Sequence, residues 1–186
     1  MRNASLAISI LVLAALGACC AAAGGLLKNA DFTARAEGDQ LLPAAWTIDA
    51  AYRSLYTDTN EDGHSGQDSL GYAAKEAVPG GPVTQTCDCQ KNTEYVLTAA
   101  LKSDGVCKPL VRVYARDIDQ AVVSLVSEGE KVWKVYSTRF NSGGATKLEV
   151  QLFGDQEIPQ SGKATTGTSG IDDVQIYLAS EAPAEV

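Results

Sequence analysis

Histidine is almost missing from this 186-residue chain, where His64 is the only one. It sits in a Gly/Asp-rich loop, "EDGHSG", beside no nucleophile, so no Ser-His-Asp or Cys-His pair can be assembled. No CxxC pair occurs among the cysteines either, which leaves zinc without a ligand set. No Lys/Arg-rich stretch stands out, and 23 acids against 15 bases give a formal charge of −8. Nucleic acid is therefore not a partner we expect. Aromatics make up 6% of residues, too few for a dense stacking platform. Counting does not exclude paired acids for glycoside hydrolysis, because acids are abundant. An enzyme cleft of that kind generally needs more chain and more aromatics than this. We expect a protein that is not an enzyme.

Long apolar runs are absent beyond the first residues. Met1-Arg2-Asn3 is a short positive start, Ala4 to Leu16 is apolar, and small residues follow. The run is shorter than the ~20 residues a bilayer needs. Residues 1–23 thus read as a secretory signal peptide, with Ala21-Ala22-Ala23 offering an A-x-A cut before Gly24. A second reading stands beside it. "LGAC", Leu16 to Cys19, resembles the bacterial lipobox, which would end the leader at residue 18 and acylate Cys19. Either route makes the mature protein secreted or held in the cell envelope, with a membrane contact only through the lipid. Loss of Arg2 with the leader takes the charge from −8 to −9. After the A-x-A cut, Cys87, Cys89 and Cys107 remain. An oxidising destination favours one disulfide, Cys107 with Cys87 or Cys89.

The rest is about one domain long, residues 24–179, followed by a disordered tail over 180–186. Short alternating segments fill it, with no convincing helix. Strands are predicted over 46–48, 69–73, 83–89, 95–102, 110–116, 121–126, 132–140, 148–153 and 171–178, with another around 26–30. Turn chemistry separates them: "EDGHSG", "PGGP", "QKN", "KSDG", "SEGE", "NSGG" and a Gly/Thr/Ser-rich stretch over 161–170. In "LVRVYARD", Val111, Val113 and Ala115 point one way, and Arg112, Tyr114 and Arg116 the other. In "KLEVQLF", Leu148, Val150 and Leu152 oppose Lys147, Glu149, Gln151 and Phe153. One core face and one wetter face per strand predict an all-β fold, a two-sheet antiparallel jelly-roll β-sandwich.

Two short stretches raise the question of a cation. "DTNEDG", Asp58 to Gly63, opens like an EF-hand loop, but Ser69 stands where the twelfth position needs a bidentate Glu. A solvated acidic turn is the better reading there. "SGIDDVQIYL", Ser169 to Leu178, starts a strand on two adjacent aspartates, although Asp has poor β-propensity. Either the pair caps the strand or one of them holds a cation.

Taken in order, "LLKNADF", "LPAAW", "HSGQDSL", "VTQT", "EYVLTAALKSDG", "WKVYSTRFNSG" and "IDDVQI" resemble the CenC-type carbohydrate-binding modules and their galactose-binding-like jelly-roll relatives. The resemblance covers nearly all of the mature chain. It implies two antiparallel sheets, one concave, and in many members a structural calcium near the N-terminal strand. Carried onto this sequence, its ligands are Asp172, Asn29 or Asp31, and backbone oxygens near His64 to Gly66, with Asp173 as an alternative to Asp172. Thr33 departs from the pattern, since many relatives have Glu there. The resemblance also implies glycan binding by aromatics flanked by polar groups. Arg112, Tyr114 and Arg116 suit that role, as do Tyr52 and Tyr56, while Trp46 and Trp133 match positions that look like core. Two functions follow. One is a non-catalytic module that binds a neutral polysaccharide or oligosaccharide weakly. The other is a cell-envelope structural or protein-interaction module that keeps the fold without the sugar.

Overall fold

Val111, Val113 and Ala115 are fully buried, while Arg112 and Tyr114 between them reach the surface, as the alternation of "LVRVYARD" predicts. A computed structural model of the chain describes residues 24–37, 39–58, 63–64 and 68–184. The predicted leader with Cys19, Asn60 and Asp62 of the acidic loop, and Gly66 lie outside those residues.

The strands are β1 (Arg35–Ala36), β2 (Asp39–Pro43), β3 (Thr47–Ile48), β4 (Tyr56–Asp58), β5 (Leu70–Ala74), β6 (Val83–Asp88), β7 (Glu94–Ser103), β8 (Leu110–Ala115), β9 (Gln120–Val126), β10 (Lys134–Asn141), β11 (Lys147–Phe153) and β12 (Gly167–Leu178). A first sheet runs β10-β7-β12-β5-β4 and a second β3-β6-β11-β8-β9, while β1 and β2 form a separate hairpin. Every ladder is antiparallel. From β5 to β8 each connection crosses from one sheet to the other, which makes the sandwich a jelly roll. Leu97, Leu101, Ile171 and Ile176 of the first sheet meet Val83, Val111, Val113, Leu148 and Leu152 of the second in the core.

The N-terminal segment lies beside the second half of β12, as Leu26 N donates to Ile176 O at 2.7 Å and Val174 N to Ala30 O at 3.0 Å. Several details differ from the prediction. A 3-10 helix spans Ala50–Leu55, capped by Asp49, and a single α-helical turn spans Ile158–Ser161. In β7 both faces are buried, because Val96, Thr98 and Ala100 are small side chains on a central strand, walled in by β10 and β12. Trp46 is core, packed on Phe32 with ring centres 5.4 Å apart, but Trp133 is only half-buried and lies on the outer face of the first sheet.

The paired aspartates of "IDDV" mark a β-bulge. Pairing shifts between Asp172, opposite Ala100, and Gln175, opposite Thr98, so β12 holds one extra residue. Asp173 takes it up at φ 48, a left-handed conformation that Asp tolerates better than most residues. The bulge moves the core face from odd to even positions. Ile171, Val174 and Ile176 are therefore all buried, where strict alternation had set Ile171 against the other two.

The predicted disulfide is not formed: Cys87, Cys89 and Cys107 are free thiols. Cys87 pairs with Leu148 near the start of β11, whereas Cys107 lies three residues before Leu110, which pairs with Phe153 at its far end. Five residues of strand separate those levels by ~17 Å, well beyond the ~7 Å Cα limit for a bridge.

Candidate functional site

The outer face of the second sheet gathers most of the predicted sugar-site residues. Register places Thr47, Thr84, Gln151, Arg112 and Ser124 in one row across all five strands. Thr86, Glu149 and Tyr114 form the next row. The row is tied together laterally. Thr47 and Thr84 share a hydroxyl hydrogen bond of 2.9 Å, and Arg112 Nε donates to Gln151 Oε1 at 2.7 Å. Gln151 Nε2 donates to Glu149 Oε1 at 2.6 Å, and Arg116 Nε to Glu149 Oε2 at 2.7 Å.

This chain explains why Glu149 and Gln151 are buried on a face the alternation reads as wet. The arginines cover them, and the Arg112 guanidinium also lies 5.0 Å over the Phe153 ring. A buried carboxylate needs such a partner, and Arg116 meets it as an ion pair at 2.5 Å. Tyr114 is half-exposed, with its hydroxyl donated to Asp119 at 2.6 Å, and that bond holds the phenol pKa above its ordinary value. Glu149 and Gln151 were legible as outward positions in "KLEVQLF", but nothing in the sequence pairs them with the arginines.

Tyr52 borders the same face at the other edge. It packs over Gly81, where an added Cβ would meet its ring at 2.3 Å, and lines a shallow hollow with Thr47, Pro82 and Thr84. Tyr52 and Tyr114 lie roughly 17 Å apart along the strand direction and two ~4.8 Å strand spacings across. They bracket the row and do not clamp a single ring. Tyr56 is not part of the site. It is 3% exposed, its ring meets Tyr72 edge-on at 5.5 Å, and its hydroxyl donates to Gly81 O at 2.7 Å. The strand β4 that carries it was not foreseen, which is why a loop tyrosine was expected there.

The cation candidates divide. Asn29, Asp31 and Asp173 border one surface hollow, whereas Asp172 is fully buried and turned to the 63–64 segment. Each makes hydrogen bonds within the protein. Asp172 Oδ2 accepts from His64 N and Oδ1 from Asp173 N, both at 2.7 Å, and Asp173 Oδ2 pairs with His64 Nδ1 at 2.8 Å. Asn29 braces its own loop through Ala34 and Ala44, and Asp31 accepts from Thr33 Oγ1 at 3.1 Å. Among the described residues no three His, Cys, Asp or Glu side chains cluster as a metal site. A guanidinium lies nearby instead: Arg35 donates to Phe32 O and pairs with Asp68 at 3.0 Å.

No protein-family model and no curated protein matches the chain. Solved structures share its fold. A family 61 carbohydrate-binding module in complex with β-1,4-galactotriose superposes with a TM-score of 0.57 at 16% identity, over 83% of this chain and 98% of that one. A family 4 carbohydrate-binding module gives 0.54 at 12% identity, over 81% and 98%. The enzymatically active domain of tailspike protein 4 from bacteriophage CBA120 gives 0.54 at 16% identity, over 83% of this chain but 21% of that one. The chain therefore has the jelly-roll fold of carbohydrate-binding modules from several families, a fold that also recurs inside larger proteins.

Proposed function

We propose that this protein is a non-catalytic carbohydrate-binding module that holds a neutral glycan along the outer face of its second sheet. The observation that carries the reading is the hydrogen-bonded chain from Arg112 through Gln151 and Glu149 to Arg116, bracketed by Tyr52 and Tyr114. Side chains already locked by neighbours lose little freedom on binding, so their remaining donors can meet hydroxyls at low entropic cost. Arg112 spends Nε on Gln151 and has four further N–H donors. Phenol rings supply apolar area for sugar C–H faces. A neutral ligand is favoured because Glu149 offsets Arg116 and the chain's net charge of −8 repels anionic polymers. The landmarks shared with the CenC-type modules support the same reading. Export through the 1–23 leader, or anchoring at Cys19, would place the module outside the cytoplasm.

A glycan array followed by calorimetry tests this. We expect weak binding, with Kd on the order of 10–1000 μM, since a shallow face yields only ~4–7 kcal/mol. Tyr114→Ala should weaken it by ~1–2 kcal/mol with Tm nearly unchanged, because the ring is half-exposed. If wild type binds nothing on a broad array while fully folded, the envelope interaction module is the better reading.

A further inference from the structure

The opposite face of the sandwich carries a hollow built around two glycines. On the first sheet Thr57 pairs with Gly71, Gly71 with Gly170, and Gly170 with Lys102. Two side chains are thus missing next to each other, and the sheet presents bare backbone between β5 and β12. Trp133, one residue before β10, reaches over this gap from the Lys102 side. A Cβ added to Gly170 would lie 2.7 Å from its Cη2, so the indole's benzo edge fills space that only glycine leaves. Lys102 Nζ stands 5.7 Å from the ring centre, and the His64 ring meets it edge-on at 6.4 Å.

Beyond the indole a cavity of about 200 Å³ remains, bordered by Thr57, Ser69, Thr168, Ser169, Lys102 and Trp133. Among the described residues no carboxylate lines it. Thr57 and Thr168 point to this face beside Gly71 and Gly170, whereas Ser169 turns inward with Ile171 and donates Oγ to Gly154 O at 2.6 Å. An indole wall, a bare floor and the Thr57 and Thr168 hydroxyls suit a neutral polyhydroxylated ring, with its C–H face on the indole and its hydroxyls on the two threonines. The volume is below the ~300–1,000 Å³ of cavities that take larger ligands, which limits the occupant to about one ring.

We propose that this hollow is a second sugar site, which takes one terminal sugar residue independently of the tyrosine-bracketed face. The chemistry of its ligand rests on the carbohydrate reading above, but its position does not. The two sites lie on outward faces of two sheets packed ~10 Å apart, so a short oligosaccharide cannot fill both. The module is then bivalent and can bridge two glycan ends or chains.

Tryptophan fluorescence with calorimetry tests this, using D-galactose, D-glucose and D-xylose and their β-1,4-linked trimers as probes. Trp46 is 2% exposed and gives a constant background, so a sugar-dependent change reports Trp133. We expect that change to survive in Tyr114→Ala and to vanish in Trp133→Phe, with calorimetry giving two binding events for wild type and one for either variant. Thr168→Val, which removes an exposed rim hydroxyl at nearly constant shape, should weaken the Trp133 response about tenfold and keeps the test open if Trp133→Phe does not fold. A single binding event that disappears in Tyr114→Ala and is untouched by Thr168→Val overturns the second site and leaves the first standing. No heat and no fluorescence change from any probe overturns both.

Discussion

Arg35 Nη2 lies 3.0 Å from Asp68 Oδ1, with side-chain exposures of 23% and 17%, while its Nη1 donates to Phe32 O. One guanidinium therefore joins the N-terminal "NADF" segment to the stretch leading into β5. Those are two of the segments that the sequence resemblance expects a structural cation to join. Guanidinium geometry suits the task, since a fixed fork of donors reaches a carboxylate and a carbonyl together. A positive charge covalently held at that place would also disfavour a divalent ion beside it.

The first prediction follows from that ion pair. Arg35→Met keeps much of the stem and removes the charge, leaving the Asp68 carboxylate and Phe32 carbonyl without this donor. We expect a loss of ~1–3 kcal/mol, between the values for exposed and fully buried pairs. EDTA should leave the wild-type Tm unchanged. A Tm that falls with EDTA and recovers with calcium would show that a metal, and not Arg35 alone, closes this region.

The second prediction concerns acid. Burial opposes ionisation of Asp104, but N–H groups of Thr168, Val106 and Cys107 outweigh it and hold the carboxyl below its usual value of 3.8. Lys134 and the Tyr136 hydroxyl hold Glu130 down at about 2, against an ordinary 4.5. A carboxyl with a depressed folded-state pKa adds stability above its unfolded pKa and loses it as pH falls through the folded one. Tm should thus stay level down to about pH 5 and fall between about 4.5 and 2. Asp104→Asn should be less stable than wild type at pH 7, with the gap closing toward pH 2. A gap that stays constant across that range would show that the Asp104 charge adds nothing to folding.

Alternation served well in β8 and β11, and it placed Arg112, Tyr114 and Arg116 on one face. It failed where a three-dimensional partner sets the outcome. The bulge at Asp173 reverses the facing of β12, and the aspartates that made the stretch look like a cation site are what a left-handed bulge residue tolerates. The Glu149–Arg116 and Gln151–Arg112 pairs depend on the register between β8 and β11, which lie more than thirty residues apart in sequence. Gly71 and Gly170 are nearly a hundred residues apart, so neither signals the gap that Trp133 fills. Cys87 and Cys107 fail to pair for a related reason: close in sequence is not close in a sandwich whose chain crosses between sheets.

The last prediction separates two tyrosines that looked alike in the sequence. Tyr56 is core, and its hydroxyl donates to Gly81 O at 2.7 Å and accepts from Gly154 N at 3.3 Å. Tyr56→Phe leaves a buried carbonyl and a buried N–H without that partner, at a cost of ~1–3 kcal/mol. For a domain of this size that lowers Tm by roughly 2–12 °C. Glycan affinity of the folded protein should not change, because no Tyr56 atom faces the outer row. Tyr52 should behave in the opposite way. It is half-buried against Gly81 and borders the hollow with Thr47 and Thr84. Tyr52→Ala should weaken binding of a long glycan by ~1 kcal/mol while affecting a trisaccharide less, since a short ligand centred on Tyr114 does not span the distance. Calorimetry with a trimer and a hexamer of one β-1,4-linked series reads both effects. Equal loss for the two lengths would place Tyr52 and Tyr114 around the same sugar ring, and the outer row would then be a compact pocket instead of a track for an extended chain.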